Sequence, residues 1–234
     1  MPYYLGLSIL STSRAAGDNR RDRAERPRLS AEARRILSQF EGRPLAENDI
    51  AKEEQGRPFF PGQEAVNFNI AHSGSLAVVS YVKGGKLRTG CDVERVRPRA
   101  QAGKIAEEFF SAPERNYIFP RSGFDEARFY EIWTLKECFL KLRGLSVFDM
   151  AACPSFINDE GAFAFDAAVS SPLSLHLYKL SDGADIRYML ATVLEGIDQQ
   201  QPEIRWFSHL SLTCKKTAEI KAAPSPAATV RPKI

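Results

Sequence analysis

The sequence predicts an α+β fold, and three observations carry that reading. Residues 1–98 and 99–221 each combine helix-period apolar spacing with β-like runs. Gly84-Gly85 joins two of those runs as a hairpin would, and the later runs are bounded by Gly or Pro. The halves are alike in pattern without a residue-level repeat, and Arg97-Pro98-Arg99 marks the boundary between them. A chain of 234 residues accommodates one large domain or two modest ones. At that length roughly 70–75% of the unfolded surface is buried on folding, so no disulfide framework is required.

Tyr3 to Leu10 reads as the first strand. From about Ser30, Ala33, Ile36, Leu37 and Phe40 recur at helical spacing until Gly42 to Pro44 ends the helix. Gly56 to Gly62 reads as loop, Val66 to Ile70 as a short strand, and Leu76 to Val82 and Leu87 to Val96 as strands paired across Lys83-Gly84-Gly85-Lys86. Helical character starts at Ala102. Ser111 and Glu114 form a box that can cap a further helix, and a longer one covers Glu126 to Leu142 and stops at Gly144. Phe163 to Phe165, Leu173 to Leu180 and Tyr188 to Leu194 follow as β-like runs. Ala222 to Ile234, rich in Ala and Pro, is expected to be a disordered tail.

The 32 Lys and Arg against 29 Asp and Glu leave a net charge of +3, too small to imply nucleic-acid binding. Its distribution is uneven. Eight arginines (14, 20, 21, 23, 26, 28, 34 and 35) face only Asp18, Asp22, Glu25 and Glu32. Such a run is either a solvated segment or a set of guanidinium forks that hold phosphate or an acidic partner. Cys91, Cys138, Cys153 and Cys214 form no C-x-x-C pair, which argues against a structural zinc and for reduced thiols in a cytoplasmic protein. No apolar run approaches ~18 residues, and Met-Pro-Tyr-Tyr-Leu-Gly-Leu lacks the marks of an export signal, so neither a membrane-spanning nor a secreted protein is expected.

Four groups of residues could do chemistry. In Gly90-Cys91-Asp92-Val93-Glu94, side chains two apart on a strand share a face, so Asp92 and Glu94 form a carboxylate pair that suits a hard divalent cation; the alternative is a solvated strand face. On the long helix, Trp133, Glu137 and Lys141 recur every four residues on one face, either as a simple ion pair or as an acid and an ammonium beside a phosphate. His72 sits at a strand-to-turn junction in Phe68-Asn69-Ile70-Ala71-His72-Ser73-Gly74, where a structural histidine is the alternative. Glu114 has a sufficient local reason in its capping box. His176 and His209 carry no supporting pattern and are read as structural.

The order and spacing of G-R-P, F-N-I-A-H-S, G-C-D-V-E, F-F-S-x-x-E and W-x-x-K-E-x-x-x-K-x-x-G resemble the 4′-phosphopantetheinyl transferase superfamily, in its monomeric surfactin-synthetase-activating type. The resemblance runs from Gly56 to Gly144. It implies an enzyme that moves the phosphopantetheine arm of coenzyme A to a serine of an apo acyl or peptidyl carrier protein, with Mg²⁺ or alternatively Mn²⁺. It also implies two similar α+β halves about a pseudo-two-fold axis, with the active site in the cleft between them. By position, Asp92, Glu94 and Glu137 would be metal ligands, and Lys141 would meet the transferred phosphate with Lys136 nearby. Glu137, Glu114 or a metal-bound water would accept the serine proton. Arg26, Gly56, Arg57, Pro58, Ala71, His72 and Ser73 would surround the nucleotide. Ala71 stands where the family commonly has Ser, and Arg57 where it often has Lys. A monomer that binds neither nucleic acid nor membrane is implied. The rival readings are a Mg²⁺-dependent pyrophosphohydrolase acting on coenzyme A or a nucleotide, and a carrier-binding module without catalysis.

Overall fold

The structure, a computed structural model, describes residues 2–10, 19–183, 185–197, 200–208 and 212–224. His209 and most of the expected tail lie outside these residues. The fold is α+β, as expected. In chain order the elements are β1 (Tyr3–Ile9), α1 (Asn19–Glu41), β2 (Ala51–Lys52), β3 (Pro58–Phe59), β4 (Val66–Ser73), β5 (Leu76–Lys83) and β6 (Arg88–Arg95). There follow α2 (Ala102–Phe109), α3 (Ala112–Ile118), α4 (Glu126–Arg143), β7 (Ser155–Ile157), β8 (Phe163–Asp166), β9 (Leu173–Asp182), β10 (Asp185–Glu195), β11 (Glu203–Trp206) and β12 (Thr213–Ala222).

Two four-stranded sheets dominate, ordered β11-β1-β5-β4 and β12-β9-β10-β6. Their facing sides meet in one core, where Leu5, Leu7 and Val78 of the first sheet pack with Cys91, Val93, Leu180 and Leu190 of the second. On the outer face of the first sheet, Ala33, Ile36 and Leu37 of α1 cover Phe68 and Val79. On the outer face of the second, Leu135, Cys138 and Leu142 of α4 cover Leu175, Ala191 and Val193. The result is four layers, helix on sheet on sheet on helix.

Three expectations need correction. The strands flanking Gly84-Gly85 are not a hairpin: β5 pairs with β1 and β4, whereas β6 crosses to the other sheet and pairs with β10. Glycines with positive φ let the chain turn, but pairing is decided by what the new strand can bury, and Cys91 and Val93 are buried between the sheets. The hairpin lies one strand earlier, where Ser73 opposes Leu76 around Gly74-Ser75. Secondly, sheet membership does not follow a division at residue 98, because β6 joins the second sheet and β11 runs parallel to β1 in the first. Thirdly, the chain beyond residue 221 is not all tail: β12 runs to Ala222, and Pro224 bridges Val169.

The gap between the sheets at β4 and β6 is closed by side chains. Asn67 Oδ1 accepts from the Thr89 amide at 2.8 Å, Asn69 Oδ1 from the Cys91 amide at 3.2 Å, and Ser73 Oγ from the Arg95 amide at 3.0 Å. These alternate residues of β4 satisfy edge N–H groups that a backbone ladder would otherwise take.

Glu114 and Lys136, expected near the chemistry, are instead a buried structural pair. They are 0% and 1% exposed and meet at 3.0 Å. Glu114 completes the capping box of α3, with Oε2 accepting from the Ser111 amide at 2.9 Å, while Oε1 accepts from the Phe156 amide at 2.9 Å. Lys136 Nζ donates further to the Pro154 carbonyl at 3.1 Å and lies 5.4 Å from the Phe110 ring centroid. All of these bonds run to other groups of the protein, and both side chains are buried. Removing one partner strands the other, and Glu114→Ala is expected to lower stability by about 3–5 kcal/mol in chemical denaturation. Ser111→Ala, which removes only the cap, is expected to cost about 1 kcal/mol.

Candidate active site

The site forms where α4 crosses β6, and Gly90 permits that crossing. A Cβ there would stand 2.8 Å from the Cys138 carbonyl oxygen and 3.2 Å from the Leu142 amide, so the helix backbone rests directly on the strand. Period-two alternation then turns Gly90, Asp92 and Glu94 toward α4, while Cys91 and Val93 enter the intersheet core. The four-residue spacing on α4 presents Trp133, Glu137 and Lys141 to them.

Asp92 is 4% exposed, and its Oδ1 accepts from Lys141 Nζ at 2.6 Å. Its Oδ2 is buried with no hydrogen-bond partner. Glu94 Oε2 accepts from Ser73 Oγ at 3.0 Å and Oε1 from Trp133 Nε1 at 3.2 Å. Arg99 lies 4.7 Å from the Trp133 ring centroid.

The electrostatics follow from crowding. Burial, then the charge of Asp92, pushes Glu94 up to about 7, against the hydrogen bonds from Ser73 and Trp133. Burial and Asp92 likewise push Glu137 up to about 7, against the pull of Lys141. Burial works against the Lys141 ammonium, but Asp92 restores it and holds it charged above the usual lysine range. Negative charge is thus gathered where one ammonium only partly offsets it.

A hard cation fits this donor set. The donors are all carboxylate oxygens, one is buried without a partner, and burial, then the charge of Asp92, pushes two of the carboxyls up to about 7. Among the described residues no three His, Cys, Asp or Glu side chains are grouped closely enough to hold an ion as they stand. Asp92, Glu94 and Glu137 would therefore have to draw together to share one.

Beside the carboxylates lies a cationic region. His72 is depressed by burial, then by the charges of Lys141 and Arg26. It lines a cavity of about 360 Å³ together with Ser30, Arg34, Glu47, Lys52, Gly56 and Pro58, where Glu47 lies 4.0 Å from Arg34 and offsets part of the positive charge. A wider groove of about 580 Å³ along Arg34, Arg35 and Arg43 contains none of the carboxylates.

The structure thus brings together Asp92, Glu94, Glu137 and Lys141, and beside them Gly56, Pro58, His72 and Arg26. It does not bring the others to the cavity. Ala71 packs its methyl into the intersheet core, and Ser73 is committed to Glu94 and the Arg95 amide. The Arg57 guanidinium is buried on internal acceptors. Sequence reasoning missed Arg34 and Lys52. Arg34 was findable, since Arg26, Ser30 and Arg34 recur every four residues on α1. Arg35, next to Arg34, is instead taken up by Glu32 and the Phe207 carbonyl. Lys52, in a two-residue strand, gave no signal.

Residues 88–191 match the model of the 4′-phosphopantetheinyl transferase superfamily, and this segment belongs to that superfamily. It holds Asp92, Glu94, Glu137 and Lys141; the cavity residues from Ser30 to His72 precede it. The chain is similar to 4′-phosphopantetheinyl transferase psf-1 of Bacillus pumilus, 29% identical over 61% of this chain and 64% of the relative. It is similar also to 4′-phosphopantetheinyl transferase AcpT of Salmonella typhi (33%, over 55% of this chain and 65% of the relative). With 4′-phosphopantetheinyl transferase Sfp of Bacillus subtilis strain 168 it shares 30% identity, over 43% of this chain and 44% of the relative. The matches thus span less than two thirds of each of these relatives. They bear out the superfamily and the type read from the motifs.

The raised carboxyls give a signed pH dependence. Glu94 and Glu137 bind protons more tightly folded than unfolded, so between about 4.5 and about 7 stability falls as pH rises. Glu137→Gln removes one like charge. It is expected to raise stability in metal-free buffer at pH 8 by about 1–3 kcal/mol, at roughly 1.4 kcal/mol for each tenfold difference in proton affinity between the folded and unfolded chain, with the gain shrinking toward pH 5 in thermal melts.

Proposed function

We propose that the protein is a monomeric, cytoplasmic 4′-phosphopantetheinyl transferase. It moves the phosphopantetheine arm of coenzyme A to a serine of an apo acyl, peptidyl or aryl carrier protein and releases adenosine 3′,5′-bisphosphate. The observation that carries the reading is the contact of two opposite fields: Lys141 bonds Asp92 in the carboxylate cluster and also bears electrostatically on His72 at the cationic cavity. A ligand that carries a phosphorylated nucleotide suits the cationic cavity, and the carboxylates would accept its diphosphate bridge only with a divalent cation to offset the like charges. The superfamily segment and the relatives named 4′-phosphopantetheinyl transferase support the same reading. No helix among the described residues is long and apolar enough to cross a membrane.

In this mechanism Arg26, Arg34, Lys52 and His72 bind the nucleotide phosphates, and Gly56 and Pro58 shape the wall. Asp92, Glu94 and Glu137 would hold Mg²⁺, or Mn²⁺, which neutralises charge on the diphosphate when bound. The carrier serine oxygen attacks the phosphorus bearing the pantetheine arm, and the bond to the bridging oxygen breaks. The electron pair leaves on adenosine 3′,5′-bisphosphate, where the Lys141 ammonium offsets it. Glu137, the carboxylate one turn from Lys141 on α4, is the group placed to take the serine proton. Glu114, sealed by its internal partners, takes no part. The nucleophile belongs to the carrier, so the protein needs no nucleophilic triad.

The carrier would approach past the end of α4. Leu145, Val147 and Phe148 are exposed directly beyond the Lys141 turn, Phe148 by 90%. Such a run suits an apolar contact of the kind that anchors protein interfaces.

The decisive experiment is the mass of an apo carrier protein after incubation with this protein, coenzyme A and Mg²⁺. A gain of one phosphopantetheine is expected, lost with Asp92→Ala or EDTA. No gain across fatty-acid, polyketide and peptide-synthetase carriers would overturn the proposal, and adenosine bisphosphate released without any carrier would favour the pyrophosphohydrolase. Phe148→Ala is expected to raise KM for the carrier by about tenfold, the cost of an interface aromatic, with KM for coenzyme A unchanged in steady-state kinetics.

A further inference from the structure

Arg57 sits between two residues of the cavity wall but turns away from the cavity. Gly56 and Pro58 line the space beside His72, whereas the Arg57 side chain is 5% exposed. Its Nη1 donates to the Lys141 carbonyl at 2.6 Å. Its Nη2 donates to Asn67 Oδ1 and to the Thr89 carbonyl, each at 2.7 Å. Asn67 Oδ1 in turn accepts from the Thr89 amide at 2.8 Å. One planar fork therefore joins β4, β6 and the last turn of α4.

All three acceptors are neutral oxygens, so the burial of this cation is not explained by an ion pair. What the position offers is geometry. The carbonyls of a helix's last turn lack intrahelical partners, and a cation there is favoured by the helix dipole. The Lys141 carbonyl is one of these, and it also accepts from the Gly144 amide at 3.3 Å. The same residue directs its ammonium to Asp92. Fixing its carbonyl fixes the stem from which Nζ departs. A lysine at position 57 has no planar fork with which to span the three acceptors.

We propose that Arg57 is a positioning residue that ties the wall of the His72 cavity to the Lys141 turn of α4, holding the Lys141 ammonium at Asp92. The inference rests on the transferase reading for the task Lys141 performs, but the tie itself does not. It also separates Arg57 from a nucleotide ligand, the role its motif suggests.

Two variants test it, Arg57→Lys and Asn67→Ala, each read by amide hydrogen exchange and by steady-state kinetics. Without ligand, the amides of Gly144 and Leu145 are expected to exchange about tenfold faster in Arg57→Lys than in the wild type, with α1 and β9 unchanged, as a local opening would give. Asn67→Ala, which leaves the fork two of its acceptors, is expected to show the same change to a smaller degree, and it carries the test if Arg57→Lys does not fold. In kinetics, kcat is expected to fall by up to about 10²-fold, as for a misplaced catalytic group, with KM for coenzyme A within about twofold. Unchanged exchange at Gly144 and Leu145 would overturn the proposal, and so would a rise in KM for coenzyme A with kcat intact, the mark of a direct ligand. A wild-type protein that modifies no carrier would defeat the transferase reading, while the exchange data would still decide the tie.

Discussion

The site depends on the absence of one methyl group. At Gly90 the backbone of α4 lies against β6 at a distance no side chain would allow. That contact determines which residues of the helix look at which residues of the strand. With the axis drawn this close, Lys141 reaches Asp92 and Trp133 reaches Glu94. The crossing also excludes water from the carboxylates, so burial leads the causes that raise Glu94 and Glu137. Geometry and electrostatics therefore share one origin in the packing of a helix on a strand.

The fold separates two kinds of buried charge. Glu114 and Lys136 have every lone pair and proton directed at protein, an arrangement that fixes α3, α4 and β7 against each other. Asp92, by contrast, keeps an oxygen without a partner, and burial together with its charge pushes the neighbouring carboxyls of Glu94 and Glu137 up to about 7. Adjacent positions on α4, Lys136 and Glu137, fall on opposite sides of this division. Helical geometry points them roughly 100° apart, one into the core and one at the strand.

Much of this was legible in the sequence wherever the signal was local. Period two placed Asp92 with Glu94, period four placed Trp133, Glu137 and Lys141, and the Ser111 to Glu114 spacing specified a cap that forms as read. What escaped was tertiary. The motif that marks Lys136 gives no hint that Glu114 is its partner. Gly84-Gly85 announced a turn but not that β6 would leave for the other sheet. Strands β11 and β12 were missed because Glu203, Arg205, Lys215 and Lys216 break any apolar alternation, as edge strands can afford to do. The start of α1 was missed because arginines favour helix without marking a face, so the period shows only from Ala33 onward.

The joint between β4 and β6 is made of amide and hydroxyl side chains rather than a backbone ladder. A ladder has a fixed width of about 4.8 Å that no substitution can alter. A joint of Asn and Ser is different: its span is written residue by residue in the gene. Exchanging single polar residues along β4 therefore changes the separation of the two sheets at this edge while both sheets keep their architecture.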